Sequence, residues 1–282
     1  MDEKVNIAIL MATYNSDRYI IQQLDSILQQ TYTRWHLYIH DDGSADKTLQ
    51  ILSQYAEANP ERITILDYPS QGNAYANFMS LLSRVDAPLY MFADHDDVWH
   101  TDKVAKSHEA YERQKAMTPD KPVIVHTDLC VVDEDLNVIN PSFWKMAGIH
   151  PEMFRRQGSR ISNIVTGCTM LFDSQARLSA LNRTPYGSPL HDEWITVCAC
   201  SDGGVVVPVH ESLIDYRQHG DNTLGAEACC NTKTGSFYVS HVFSLLKENI
   251  ENYKTLRSAG YGSYMKYIFS KVRNFIYYHI KY

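Results

Sequence analysis

Apolar positions along the first hundred residues alternate between two spacings. VNIAILM (5–11) is a short, nearly continuous apolar run of the kind buried on both faces of a sheet. In the following RYIIQQLDSILQQ, Ile20, Leu24, Ile27 and Leu28 recur at helical spacing, with Asn15, Ser16 or Asp17 available as a cap. WHLYIH (35–40) reads as a strand that stops at DDGSAD, and Leu49, Leu52 and Tyr55 continue a helix ended by Asn59-Pro60. RITIL (62–66), AYANFMSLL (74–82) and PLYMFA (88–93) predict a strand, a helix and a fourth strand. Four such alternations with short joins predict an α/β fold with a mostly parallel sheet and helices on both faces. Ligands gather beyond the carboxyl ends of such strands. Thr13-Tyr14-Asn15, Asp41-Asp42 and the trio Asp94, Asp96 and Asp97 all fall there.

The second half is less regular. VIVHTDLCVVDEDLNVI predicts a strand and then a hairpin turning on Glu134-Asp135, and NIVTGCTMLF (163–172) a strand pair or a strand broken by Gly167. HDEWITVCAC (191–200) has a helical period that places His191-Asp192 at its start. GGVVVPV is a strand, and SLIDYRQHGDN runs from a strand into a loop. Near the end, Met265, Ile268, Phe269, Val272, Phe275, Ile276 and Ile280 share one helical face, with Lys266, Lys271, Arg273 and Lys281 mostly off it. This pattern puts a main domain at 1–230, in two halves of about 1–100 and about 101–230. A basic, aromatic helical tail occupies 231–282. That helix either docks on its own domain or lies at an anionic lipid interface.

Charge sharpens this division. The 282 residues carry a net charge of −7, which argues against nucleic acid as a partner. From Lys254 to the end there are six basic residues and no acidic one, whereas the first 253 residues hold 20 basic against 33 acidic side chains. An acidic body and a basic tail imply two kinds of neighbour. The amino terminus has no signal-peptide pattern or membrane-length apolar run, and the six cysteines show no C-x-x-C pair. The expectation is a cytoplasmic chain with free thiols and no zinc at Cys229-Cys230.

The chemistry concentrates in ADHDDVW (93–99). Two like charges about 4 Å apart repel by about 4 kcal/mol at an effective dielectric near 20, so this trio is either a solvated acidic turn or the seat of a cation. Magnesium or manganese held by Asp94 or Asp96 suits a diphosphate substrate, because the ligands are hard oxygens and phosphate completes the shell. Asp192, at a helix amino end, is expected to stay ionised and to accept a proton from an attacking hydroxyl. His191 is its polar neighbour. His219 is either a loop histidine or a further metal ligand.

Taken in order, AILMATYNSDRYIIQQLDSILQQTY, IHDDGSADKTLQIL, MFADHDDVW, HDEW and YRQHGDN resemble the family 2 glycosyltransferases with the GT-A fold, in particular rhamnosyltransferase-type enzymes of bacterial surface polysaccharide assembly. The resemblance covers about residues 5–225. It implies that Thr13, Tyr14 and Asn15 lie along the nucleotide, that Asp41 or Asp42 reaches the base, and that Asp94 meets the ribose or sugar. By the same resemblance Asp94, Asp96 and His219 serve the metal, and Asp192 is the catalytic base. Trp99, Gly167, Cys168, Thr169 and His191 belong to the acceptor side. It further implies a nucleotide-diphosphate sugar donor and inversion at the anomeric carbon. The acceptor is a saccharide or lipid-linked saccharide, with peripheral contact through 254–282 at the inner face of the plasma membrane. QGNAYANF departs from the family's N-x-G-x-x-x-N-F, with Asn73 where the glycine usually stands.

Two other readings compete. A nucleotidyltransferase needs a glycine-rich basic loop after the first strand, and MATYNSDRYI has no glycine. A non-catalytic nucleotide-sugar-binding module of the same fold is expected to lack Asp192 or the D-x-D, and both are present.

Overall fold

The computed structural model describes residues 6–154, 163–187, 189–220 and 242–281, with only the backbone described at 153–154, 242–248 and 275–281. Cys229-Cys230, the end of YRQHGDN beyond Gly220, the boundary drawn at residue 230, and the side chains of Phe275, Ile276, Ile280 and Lys281 lie outside the described residues or side chains.

The first half follows the expected alternation. Strands β1 (Ile7–Thr13), β2 (Trp35–Asp41), β3 (Ile63–Ile65) and β4 (Leu89–Ala93) pair in parallel, in the order β3-β2-β1-β4. Helices α1 (Ile20–Leu28), α2 (Thr48–Ala58) and α3 (Ala74–Arg84) join them. Side-chain alternation explains why β1 reads as an unbroken apolar run. Ile7, Ile9 and Met11 enter one core layer with α1 and α2, while Ala8, Leu10 and Ala12 enter the other with α3. The expected side-chain cap of α1 is absent: Asn15 and Asp17 instead bind backbone of the 44–47 loop, Asn15 Oδ1 accepting from Ala45 N at 2.9 Å.

Beyond β4 the sheet is mixed rather than mostly parallel. The later strands are β5 (Val98–Trp99), β6 (Val123–Val132), β7 (Val138–Asn140), β8 (Met170–Asp173) and β9 (Val205–Arg217). Strand β8 is inserted antiparallel between β4 and β6; β9 runs parallel to β6 and carries β5 antiparallel on its far side. Residues 163–172 form a 3-10 turn, Gly167–Thr169, before β8 rather than a strand pair. Helix α4 (Lys103–Met117) covers the first layer, and α5 (Phe143–Met146) follows β7. Helices α6 (Ser174–Leu181) and α7 (His191–Ser201) cover the second.

Two further helices, α8 (Val242–Ser258) and α9 (Tyr264–Lys281), close the chain. Leu256, Ala259, Tyr261 and Tyr267 are buried in the second layer with Trp194 and Ile195 of α7. The tail therefore docks on its own domain, at least through one face.

Topology brings distant residues together. The pairings Val98↔Asp215 and Trp99↔Ile214 carry the end of β9 back along the acidic turn, so that Arg217 and His219 meet residues 120 or more positions earlier.

Candidate functional site

The acidic turn after β4 is held by its backbone. Buried amide and carbonyl groups must find partners, and here side chains supply them. From α1 and just beyond it, Gln23 Nε2 donates to the carbonyl of Asp94 (2.8 Å), Ser26 Oγ accepts from the amide of Trp99 (3.0 Å), and Gln30 donates to the carbonyl of His100 (2.8 Å) while accepting from the amide of Val104 (3.0 Å). On the other side Arg217, fully buried, donates from Nε to the carbonyl of Asp96 (2.8 Å) and from its terminal nitrogens to Gln22 Oε1 (2.6 Å) and the carbonyl of Glu134. Its guanidinium lies 4.6 Å from the ring centre of Tyr19, which in turn faces the His219 ring at 4.9 Å. Arg217, Tyr19, Gln22 and Gln23 carried no assignment from sequence. The one available signal was a lone arginine in YRQHG, next to the histidine.

Held this way, the carboxylates separate into two groups. Asp96 Oδ2 meets His219 Nε2 at 2.8 Å. Asp94 instead groups with Asp97 and Cys168, their donor atoms within 4.8 Å of one another. Asp94, Asp96 and His219 are therefore not a preformed three-ligand set. Asp97 is fully buried; its Oδ1 accepts from the amide of Arg217 (3.3 Å) and its Oδ2 has no partner. Burial, then the charges of Asp96 and Asp94, hold it well above the usual carboxylate range. Asp94 is pushed up to about 7 by burial first, then by Asp96 and Asp192. At Asp96 burial pushes upward, but the hydrogen bond from His219 and the charge of His95 outweigh it and keep the carboxyl low. Lys103 sits beneath, fully buried, with Nζ 3.7 Å from the centre of the Trp99 ring and burial drawing it down to about 7.

The donor chemistry distinguishes these groups for a divalent cation. Asp96 offers an ionised oxygen, the kind of donor that suits manganese or magnesium, and His219 Nε2, hydrogen-bonded to it at 2.8 Å, becomes a ligand only by giving up that bond. Asp97 and Cys168 offer a carboxyl and a thiol that burial pushes toward their neutral forms, which suit such a cation poorly.

Around this turn the nucleotide-side loops are bound to one another. Asp41 accepts from Thr13 Oγ1 (2.8 Å), Ser44 Oγ (2.6 Å) and the amides of Gly43 and Ser44, so it organises its own turn. Asp42 accepts from Ser70 Oγ (2.9 Å) and the amides of Gln71 and Gly72. Tyr14 is exposed, and Asn15 has a φ of 48°, which turns the loop back toward residues 44–45. The shifted glycine is also explained. Gly72 takes a φ of 78°, where a side chain is strained, and Asn73 is free to cap α3 by accepting from the amide of Ala76 (2.9 Å).

Asp192 opens α7 and is buried, its Oδ1 accepting from the amide of Glu193 at 2.6 Å. Burial pushes it up to about 7 despite that bond, so desolvation overrides the helix dipole expected to keep it ionised. Its charge bears on Asp94 and raises it further. The five residues expected on the acceptor side form the wall behind it instead. Trp99, Cys168 and Thr169 are buried, and Thr169 Oγ1 donates to the carbonyl of Thr166 (2.7 Å). The His191 ring is wedged between Phe78 and Phe92, at centroid distances of 4.3 and 4.8 Å, and against Gly167. A Cβ on Gly167 would lie 2.5 Å from His191 Nε2. A cavity of about 540 Å³ lined by Gln114, Met117, Thr118 and Lys121 lies at the opposite end, by the amino ends of β6 and β9.

The family model described as "Glycosyl transferase family 2" matches residues 8–176, more than half of the chain. The chain belongs to that family. A similar relative is the "dTDP-rhamnosyl transferase RfbG" of Shigella flexneri, 39% identical over 98 residues, 33% of this chain and 34% of that protein. The chain thus spans about a third of that relative's length. Among solved structures, S. aureus TarS 1-349 in complex with UDP-GlcNAc superposes with a TM-score of 0.55 at 16% identity, over 87% of this chain and 66% of that one. The mannosyltransferase PcManGT from Pyrobaculum calidifontis, in complex with GDP-Man and Mn2+, gives a TM-score of 0.55 at 16% identity over 92% and 74%. These likenesses establish the GT-A fold.

Two substitutions test the framework. Arg217→Ala leaves the buried Asp96 carbonyl without its donor and frees the more exposed Glu134 carbonyl and Gln22; urea denaturation should show a loss of about 1–3 kcal/mol, and a change within about 0.5 kcal/mol would deny Arg217 its role. Gly167→Ala should cost about 1–3 kcal/mol by overpacking against His191, read from the same midpoint shift.

Proposed function

We propose that the protein is an inverting, metal-dependent glycosyltransferase that moves a sugar, rhamnose in our reading, from a nucleotide-diphosphate donor to a saccharide hydroxyl. The product is a cell-surface polysaccharide, and the acceptor is a saccharide or lipid-linked saccharide held at the inner face of the plasma membrane. The observation that carries this reading is the pair Asp94 and Asp192. They are a half-buried and a buried carboxyl, each pushed up to about 7, with the charge of Asp192 acting on Asp94, beside the Asp96–His219 pair. The name of the Shigella relative supports the sugar, and the bound ligands of the two solved neighbours support the donor class.

The residues divide the work. Asp96 and His219 would hold magnesium or manganese, which when bound offsets the charge growing on the departing diphosphate. Thr13, Tyr14 and Asn15 shape the loop along the nucleotide, and Asp41 and Asp42 fix the adjoining loops against which the base rests. Asp94 meets the sugar side. Asp192 takes the proton of the acceptor hydroxyl as its oxygen bonds to the anomeric carbon from one face. The bond to the diphosphate breaks on the other, so the configuration inverts. A base near 7 suits this task, because near neutral pH a large part of it is ionised and it can hold the proton it takes up.

The central test is Asp192→Asn. Transfer should fall by about 10²–10⁴ with donor binding retained, and near-wild-type turnover would remove Asp192 from the role. Wild-type kcat/KM should rise with pH through a limb near 7 that belongs to Asp94 and Asp192 together. Stability gives an independent readout. Because the folded value of Asp192 lies above its ordinary 3.8, its contribution is present below 3.8 and is lost as pH rises toward about 7. Asp192→Asn should therefore melt above wild type at pH 8, the difference vanishing near pH 4.

A further inference from the structure

Helix α9 presents two unlike faces. Inward, Tyr267 is fully buried against Tyr253 and Tyr261, its hydroxyl donating to Asn249 Oδ1 (3.1 Å), which also accepts from Lys271 Nζ (2.8 Å). Outward, Met265, Phe269 and Val272 are 71%, 78% and 51% exposed. Their spacing of four and then three residues puts them on a single stripe of the helix. Exposed Lys266 and Arg273 flank the stripe. No acidic residue follows Glu251 in the sequence. A stripe of large apolar side chains left in water marks an interaction surface rather than a random surface position.

We infer that this stripe is the docking surface for an anionic lipid bilayer, with α9 lying in the plane of the interface. The flanking cations decide between lipid and a second copy of the chain. Two copies joined through this stripe would set Lys266 and Arg273 against their own counterparts, whereas an anionic headgroup layer attracts them. Among the described residues no helix is long and apolar enough to cross a membrane, so the contact is peripheral. The placement has a consequence for the site. Lys271, on the inward face of α9, bears on Glu193, the neighbour of Asp192, so a bilayer on the outward stripe would hold its acceptor one helix width, roughly 10 Å, from the amino end of α7. That last step rests on the function proposed above; the docking itself does not.

The full chain should co-sediment with phosphatidylcholine vesicles containing phosphatidylglycerol and only weakly with phosphatidylcholine alone. The triple variant Met265→Ser, Phe269→Ser and Val272→Ser should lower partitioning by about ten-fold or more. Lys266→Gln with Arg273→Gln should remove most of the salt-sensitive part. The triple variant should keep its melting temperature and its transfer to a soluble saccharide, but lose transfer to an acceptor embedded in the vesicles. If neither wild type nor variant transfers to any acceptor while wild type still binds vesicles, the proposed function fails and the docking stands. Equal vesicle binding by wild type and triple variant, no binding by wild type, or a dimer in sedimentation velocity that the triple variant abolishes, would overturn the docking.

Discussion

The molecule depends on how one short buried stretch of backbone is paired. Residues 94 to 104 leave the sheet carrying four carboxylates, three of them in the acidic turn, and a lysine, and most of that backbone has no strand partner. Gln23, Ser26 and Gln30 stitch it from one side and Arg217 from the other. Each unmade bond of this kind costs about 1–3 kcal/mol, so the set is strong enough to fix the turn even though the carboxylates repel. Their directions then follow from the backbone. Asp96 faces His219, Asp97 turns inward to the Arg217 amide, and Asp94 lies with Asp97 and Cys168.

The same geometry concentrates unfavourable charge. Asp94, Asp97, Asp192 and Lys103 are all shifted toward their neutral forms by burial, a cost to the fold that a purely structural loop would have no reason to carry. Burial is completed from behind by packing that admits little change: His191 between two phenylalanines, Gly167 with no room for a methyl group, and Trp99 over Lys103. The tail adds to this wall. By lodging Tyr267 in the core shared with α7, it ties an amphipathic helix to the element that bears Asp192.

Much of this was legible in sequence, and the rest failed for identifiable reasons. The three leading strand–helix units and the fourth strand announced themselves through periodicity, and the start of α7 at His191-Asp192 did likewise. Helix α4 did not, because KVAKSHEAYERQKAM buries Lys103, Ser107 and Gln114 alongside Val104, Ala110 and Tyr111 and so has no apolar stripe to read. The antiparallel insertion of β8 rests on long-range pairing with β4 and β6 that no local pattern encodes. At the site, residue types were readable but directions were not. D-x-D spacing cannot say that Asp96 rather than Asp94 meets His219, nor that Trp99, Cys168 and Thr169 turn away from solvent. The glutamines of α1 were hidden because a polar stripe beside an apolar one looks like an ordinary exposed face until something buried lies against it.

The most direct measurement is anomalous diffraction at the manganese edge on crystals grown with Mn²⁺ and a nucleoside diphosphate. If the stitched turn presents Asp96 and His219 to the donor, the peak will lie in bonding contact with both, and Asp97 and Cys168 will remain unbound. A peak seated among Asp94, Asp97 and Cys168 instead, with the Asp96–His219 contact unbroken, would contradict the account.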